Sequence, residues 1–182
     1  MLIWICGVSG AGKTTLGQGL YARLKPRLPG LFLLDGDDFR AAMGGELGYT
    51  PDERRKNALR IARLCNLLEK QGIHVICCAV TLPPEVQELN RSQCRDYLEI
   101  YLRVQKDTLL RRDPRGLYRK CASGEIRDLP GFDIAYVPPQ RPHLILDNDE
   151  DLPTREAQIS KVLGLAQGML APLESSRATA GR

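Results

Sequence analysis

The chain has 182 residues, of which 43% are hydrophobic and 26% charged, close to the composition of an average soluble globular domain. No apolar run approaches the roughly 18 residues that a membrane-spanning helix requires, so we exclude a transmembrane protein. Lys and Arg number 26 against 22 Asp and Glu, giving a net charge of +4. This mild excess favours a polyanionic partner, and composition alone leaves nucleic acid and small polyanions as alternatives.

The first half of the chain alternates short apolar runs with amphipathic segments. Residues 2–6 form a continuous apolar run, typical of a strand buried on both faces. Residues 14–24 carry leucines at every fourth position and predict a helix, and 31–34 predict a second buried strand. A threonine N-cap followed by a proline predicts a long helix over 51–71.

The second half continues this alternation, with a long irregular stretch inserted. Three more strands are predicted, over 74–80, 97–104 and 143–146, and three helices, over 85–95, 106–112 and 154–170. Residues 113–142 are rich in Gly, Pro and Arg, as in functional lids. The pattern predicts an α/β fold with a mainly parallel five-stranded sheet, as one domain over 1–171 with a flexible tail over 172–182.

Residues 7–14 read GVSGAGKT and match the phosphate-binding motif G-x-x-x-x-G-K-[ST] in full, between a predicted strand and a helix. Glycines let backbone N–H groups surround an anion, and the helix N-terminus adds a positive dipole end. Lys13 would bridge the β- and γ-phosphates, and Thr14 would hold Mg²⁺. The sequence therefore predicts ATP and Mg²⁺ as cofactors, bound by Gly7, Ser9, Gly10, Ala11, Gly12, Lys13, Thr14, Thr15 and Arg112.

Acidic residues follow the second predicted strand, in the segment Asp35-Gly36-Asp37-Asp38. Carboxylates there lie at the sheet edge where the phosphate loop opens. They could accept a proton from an attacking hydroxyl or orient Mg²⁺ through water. The alternative is a solvated turn that caps a helix at Phe39, and the nearby phosphate loop favours the first reading. A regulatory GTPase is disfavoured because the chain has no N-K-x-D motif.

A kinase for small molecules also needs a mobile cover that excludes water from the phosphoryl group. The irregular stretch and the helix end before it supply cations that could stabilise charge on that group. An ordinary solvated surface is the alternative explanation. These cations are Arg111, Arg112, Arg115, Arg119, Lys120 and Arg127.

Taken in order, these pieces resemble the adenylylsulfate (APS) kinase family. The matching segments are GVSGAGKTT at 7–15, LDGDDFR at 34–40, LGYTPDERRKNALRI at 47–61, RDPRGLYRKCASGEI at 112–126, GFD at 131–133 and LILDN at 144–148. The resemblance implies a P-loop NTPase-type three-layer α/β/α sandwich with a lid over about 113–142. It also implies transfer of the ATP γ-phosphate to the ribose 3′-hydroxyl of adenosine 5′-phosphosulfate.

The resemblance further implies roles for individual residues. Asp35 and Asp37 correspond to an acidic pair near the 3′-hydroxyl and the metal, with Asp37 the better candidate for the base. With Lys13 they form the predicted catalytic set. The implied acceptor-binding residues are Asp37, Arg40, Tyr49, Arg54, Asn57, Val80, Thr81, Arg119, Phe132 and Asp133.

The chain departs from the family where the acceptor base should bind. Two family phenylalanines that stack on the substrate adenine align here with Ala79 and Leu129. Stacking is worth about 1–3 kcal/mol per base in nucleic-acid binding, so losing both plates would weaken adenine binding unless Phe132 compensates in part. The strand exit resembles capsule-associated relatives that phosphorylate a cytidine diphosphoramidate. A smaller pyrimidine would not need two aromatic plates.

Three functions stay open at this point. APS kinase is the default, a kinase for another nucleotide such as cytidine diphosphoramidate is the alternative, and a non-catalytic ATP-binding subunit is the third. Nucleic acid is disfavoured because the basic residues gather in the lid and around the acidic loop. The six cysteines lack C-x-x-C pairs and metal-ligand spacing, which indicates buried thiols in a reducing cytoplasm. We expect a cytoplasmic enzyme that binds a small nucleotide and no membrane, and a homodimer is compatible with the sequence.

Overall fold

A five-stranded parallel sheet organises the chain. The computed structural model describes residues 1–80, 82–113, 115–149 and the backbone of 152–179, with side chains of that last segment at 155–169. The strands are β1 Leu2–Cys6, β2 Phe32–Asp35, β3 Val75–Ala79, β4 Tyr97–Arg103 and β5 Leu144–Asp147. They lie in the order β2-β3-β1-β4-β5, and every pair is parallel.

The most apolar strand is the central one. Every residue of β1 is buried, which is why its sequence is apolar without alternation. Successive side chains enter opposite cores: Ile3 and Ile5 belong to one cluster, and Leu2 and Trp4 to the other. Trp4 pairs in register with Glu99 of β4, and its indole Nε1 has no hydrogen-bond partner among the described residues.

Helices cover both faces of the sheet. They are α1 Lys13–Leu24, α2 Gly36–Ala42, α3 Pro51–Lys70, α4 Pro84–Gln93, α5 Lys106–Arg112, α6 Leu117–Ala122 and α7 Leu152–Thr179. Helices α1 and α7 pack together over one face, and α3 and α4 over the other. This is the predicted three-layer α/β/α sandwich. No helix in the described part of the chain has the length and apolarity to cross a membrane.

Three elements differ from the sequence prediction. Helix α2, which the alternative reading of the acidic segment placed at Phe39, begins directly after β2, because the Asp35 carboxylate caps it by accepting the Asp37 N–H at 2.9 Å. Helix α6 lies inside the stretch expected to be irregular, since six residues are too few to show a helical period. The last helix runs to Thr179, past the predicted end at residue 170, and 180–182 lie outside the described residues.

Candidate active site

The phosphate loop joins β1 to α1, and two of its glycines are required because atoms of neighbouring segments approach them closely. Gly7 has φ +150°, and a Cβ there would lie 2.6 Å from the carbonyl oxygen of Leu102. Gly12 has φ +94°, and its Cβ would lie 2.6 Å from Asn148 Nδ2. Neither position accepts an L side chain without displacement of its neighbours. The loop is therefore held tightly between β4 and the end of β5.

Lys13 and Thr14 stand at the start of α1, where the motif places them. The buried Lys13 Nζ donates to the carbonyl of Val8 at 2.9 Å, and burial lowers the pKa of this ammonium. Thr14 Oγ1 donates to Asp35 Oδ2 at 2.7 Å. Since Asp35 Oδ1 also accepts the Asp37 N–H, one carboxylate connects the phosphate loop to the acidic segment. The arrangement puts an ammonium, a hydroxyl and two carboxylates at one edge of the sheet.

A cavity of about 470 Å³ opens above this edge. It contains most of the residues that the sequence assigned to ATP and catalysis: Ser9, Gly10, Gly12, Lys13, Thr14, Thr15, Asp35, Asp37 and Arg112. Gly7 and Ala11 shape the loop without lining the cavity. Among the lining residues that were absent from the predicted site, four carry long polar side chains, namely Arg115, Asn148, Arg155 and Gln158.

Asn148 fixes the phosphate loop from the end of β5. Its side-chain Nδ2 donates to the carbonyl of Ala11 at 2.8 Å, and its backbone carbonyl accepts from Arg112 Nη1 at 2.6 Å. Gln158 of α7 donates to its Oδ1 at 3.3 Å. Arg112 thus reaches the cavity rim through Asn148. The matching segment LILDN was the available sequence signal for Asn148.

A second, smaller cavity of about 30 Å³ adjoins the first and shares Asp37, Ala79 and Val80 with it. It is also lined by Arg40, Arg54 and Asn57, so the structure brings together half of the predicted acceptor residues. No aromatic side chain lines this cavity among the residues that the structure describes.

The two arginines of this cavity are held by Tyr49. Their guanidinium groups lie 4.6 Å (Arg40) and 5.1 Å (Arg54) from the centre of its ring, within cation–π range. Arg40 Nη1 donates to the Leu47 carbonyl at 2.8 Å. Arg54 Nη2 donates to the carbonyl of Asp128 in the lid at 3.1 Å, and burial lowers its pKa. Tyr49 therefore orients the cations and does not line the cavity.

The lid is fastened to the phosphate loop at two points. The hydroxyl of Tyr118, in α6, donates to the carbonyl of Ser9 at 2.7 Å. Gly131 has φ +84°, and a Cβ there would lie 2.9 Å from Val8 Cγ1. These contacts hold the lid against the phosphate loop.

Besides Tyr49, three predicted acceptor residues are not brought to either cavity, as lined by the described residues. The side chain of Arg119 is 85% exposed and lies 3.5 Å from Asp113. The ring of Phe132 packs edge-on against Tyr118, with centroids 5.6 Å apart, and lies under Lys106. Phe132 therefore does not replace a stacking plate.

Asp133 is the third of these residues. Its carboxylate accepts the N–H groups of Leu129 at 2.6 Å and Asp128 at 2.9 Å. Desolvation acts to raise the pKa of Asp133, but these backbone donors outweigh it and lower the pKa. The residue thus fixes a turn of the lid. Thr81 lies outside the described residues.

The positions of the missing plates and of the lid cations are also clear. Ala79 lines both cavities at the end of β3, whereas Leu129 is 3% exposed and packs in the core. Of the six cations predicted to line the lid, Arg112 and Arg115 line the ATP cavity, and within the described residues the other four line neither cavity.

Arg115 forms an ion pair with the predicted base. Its Nη1 lies 2.5 Å from Asp37 Oδ2, and the side chains are 62% and 47% exposed.

The six cysteines are five buried thiols and one half-buried thiol. Burial raises the pKa of Cys6 and Cys78 to about 12, so both stay protonated at neutral pH, as predicted for inert thiols.

The comparison with known families decides the classification. The family described as adenylylsulphate kinase matches residues 1–147. The chain belongs to this family. The resemblance that the sequence motifs indicated is thereby confirmed, and so is the predicted fold.

Relatives of this chain include kinases named for two different acceptors. The cytidine diphosphoramidate kinase of Campylobacter jejuni is 37% identical over 147 residues, covering 81% of this chain and 85% of that protein. The adenylyl-sulfate kinase of Pseudomonas aeruginosa is 38% identical over 158 residues, covering 83% and 80%. The solved APS kinase CysC of Mycobacterium tuberculosis, in complex with AMPPNP and APS, is 27% identical with a TM-score of 0.80, covering 91% and 96%.

The family and these neighbours establish the class of reaction. The chain is an ATP-dependent nucleotide kinase, a phosphotransferase with a hydroxyl acceptor. The reading as a non-catalytic ATP-binding subunit is set aside.

Proposed function

We propose that this kinase transfers the γ-phosphoryl group of ATP to the ribose 3′-hydroxyl of a small nucleotide. The observation that supports it is the convergence of Lys13, Thr14, Asp35 and Asp37 on one cavity, which continues into the arginine-lined second cavity. The first cavity has the volume of a small-molecule site, and the second begins at the base Asp37. An acceptor in the second cavity would present its hydroxyl to this carboxylate.

The transfer would be a direct in-line displacement. Lys13 exchanges its contact with the Val8 carbonyl for the β- and γ-phosphates of ATP, and the loop amides surround them. The acceptor oxygen bonds to Pγ while the bond between Pγ and the bridging oxygen breaks, releasing ADP. Asp37 accepts the proton of the acceptor hydroxyl.

The residues at the start of α1 fit Mg²⁺. This ion keeps most of its water shell and usually takes one or two protein oxygens besides the phosphates. The Thr14 hydroxyl would bind it directly, and Asp35, 2.7 Å from that hydroxyl, would orient its water. The ion supplies charge neutralisation at the phosphates.

The geometry favours an acceptor whose base does not depend on two aromatic plates. Ala79 offers only a methyl group, Leu129 is buried in the core and Phe132 is turned toward Tyr118. We therefore rank a cytidine acceptor of the diphosphoramidate type ahead of APS. APS is the second candidate, because Arg40, Arg54 and Asn57 line the cavity as the family motifs imply and relatives bear that name.

The test is a coupled ADP-release assay with cytidine diphosphoramidate and APS as acceptors. Two lost plates worth about 1–3 kcal/mol each, together about 2 kcal/mol or more, predict a KM for APS at least about 30-fold above that for the cytidine nucleotide. Lys13→Ala and Asp37→Asn should each abolish turnover with an unchanged circular dichroism spectrum. A micromolar KM for APS with weak use of the cytidine nucleotide would reverse the order of the candidates, and near-normal turnover by Asp37→Asn would remove the base role.

A further inference from the structure

Arg115 links the lid to the base that the proposed mechanism uses. Its guanidinium donates to Asp37 Oδ2 at 2.5 Å, and both residues line the cavity that contains Lys13 and Thr14. The backbone of Asp37 is held as well, because its N–H donates to Asp35 Oδ1. One oxygen of the Asp37 carboxylate is therefore occupied by the lid.

This ion pair competes with the acceptor hydroxyl for the same carboxylate. A base can take a proton only from a group within hydrogen-bond reach, so the acceptor hydroxyl must approach Asp37 where the guanidinium now lies. Both side chains are about half exposed. An exposed pair of this kind shifts an equilibrium by no more than about fivefold, so binding of an acceptor can displace it.

A displaced guanidinium would find another anionic partner in the same cavity. Once Asp37 turns to the acceptor hydroxyl, the charged oxygens of the γ-phosphoryl group of bound ATP can accept from the planar donor fork of arginine. Arg112, the other lid-region cation at this cavity, donates to the Asn148 carbonyl, which holds it at the rim. Arg115, in contrast, contacts Asp37, the group that must be released before the acceptor hydroxyl can bind there.

We propose that Arg115 occupies Asp37 until the acceptor nucleotide binds, and then moves to the transferring phosphoryl group. This inference rests on the proposed function. Its consequence concerns water. With Asp37 free, a water oxygen could bond to Pγ as the bridging Pγ–O bond breaks, giving its proton to Asp37 and releasing ADP and phosphate. The Arg115–Asp37 pair suppresses this hydrolysis while no acceptor is bound.

The experiment compares Arg115→Gln with the matched variant Lys120→Gln. Both remove one positive charge from the lid, but Lys120 pairs with Glu125 at 3.3 Å and lines neither cavity within the described residues. ADP release is measured with ATP and Mg²⁺ alone, and again with a saturating acceptor nucleotide. For Arg115→Gln we expect acceptor-free hydrolysis to rise up to about fivefold and transfer to fall about 100-fold. Lys120→Gln should match the wild type in both.

Two further variants keep the result specific. Arg115→Lys retains the charge and a single contact, so it should restore low hydrolysis and only part of the transfer rate. In an Asp37→Asn background, Arg115→Gln should no longer raise hydrolysis. Unchanged or lower hydrolysis in Arg115→Gln, or a rise that persists with Asn at position 37, would overturn the inference. Absence of transfer by the wild-type enzyme would instead refute the proposed function, since acceptor-free hydrolysis is read separately.

Discussion

Tyr118→Phe removes a single hydrogen bond between the lid and the phosphate loop. The lost donor reaches the Ser9 carbonyl at 2.7 Å, while the ring keeps its edge-on packing with Phe132. Ser9 is half-buried, so water can satisfy its carbonyl in the variant and no large desolvation penalty remains. The expected loss is thus the net value of one hydrogen bond, about 1 kcal/mol, which corresponds to an approximately fivefold increase in lid opening.

Native-state amide hydrogen exchange measures this opening directly. The amide of Lys120, bonded to the Gly116 carbonyl within α6, should exchange about fivefold faster in the variant, while amides of β1 keep their protection. Exchange of Lys120 within twofold of the wild type would refute the reasoning. An equal loss of protection in β1 would also refute it, because the effect would then be global unfolding.

The pH range over which this hydrogen bond stabilises the lid is set by ionisation of the Tyr118 phenol. Burial and the nearby Asp113 carboxylate raise the pKa of Tyr118 to about 12, against about 10 in the unfolded chain. Since the fold favours the protonated form, the stabilisation is complete below pH 10 and is lost as the pH rises from 10 through 12. The difference between Tyr118→Phe and the wild type should therefore be constant from pH 6 to 9.

Three other substitutions test the supports of the site. Asn148→Ala removes the donor to the Ala11 carbonyl, and the loss of about 1 kcal/mol should raise the KM for ATP about fivefold in steady-state kinetics, with the acceptor KM unchanged. Gly131→Ala imposes a left-handed alanine against Val8, costing at least about 1 kcal/mol and lowering the Tm by roughly 2–4 °C or more in calorimetry. Asp133→Ala should lower the Tm at pH 5–7. Because the pKa of Asp133 is lowered by the fold, this deficit should shrink as the pH falls below about 3.9.

The sequence could predict those parts of the site whose residues lie close together along the chain. The phosphate loop is one unbroken segment of eight residues with four specified positions at fixed spacing, so its sequence was enough to place it. The Asp35 and Asp37 carboxylates follow a strand end, and parallel strands bring that end to the same edge. Sheet topology therefore converts a short pattern into a three-dimensional site.

The remaining features depend on contacts between distant segments. Arg115 and Asp37 are 78 residues apart, and Asn148 and Ala11 are 137 apart, so no spacing rule connects either pair. The orientation of the Phe132 side chain could not be predicted from the sequence either, because it depends on the conformation of the lid turn that contains this residue. Here Asp133 fixes that turn through two backbone N–H groups.

Trp4 is the single tryptophan of the chain, enclosed within β1 three residues before the phosphate loop begins. Intrinsic fluorescence therefore has one source, and its apolar surroundings should keep the emission at short wavelength until the sheet itself opens. Trp4 belongs to the core beneath α3 and α4, whereas Tyr118 of the lid belongs to the opposite core. Movements of the lid should leave this emission unchanged, so the natural protein carries a built-in optical reporter of global unfolding that does not respond to the opening of its active site.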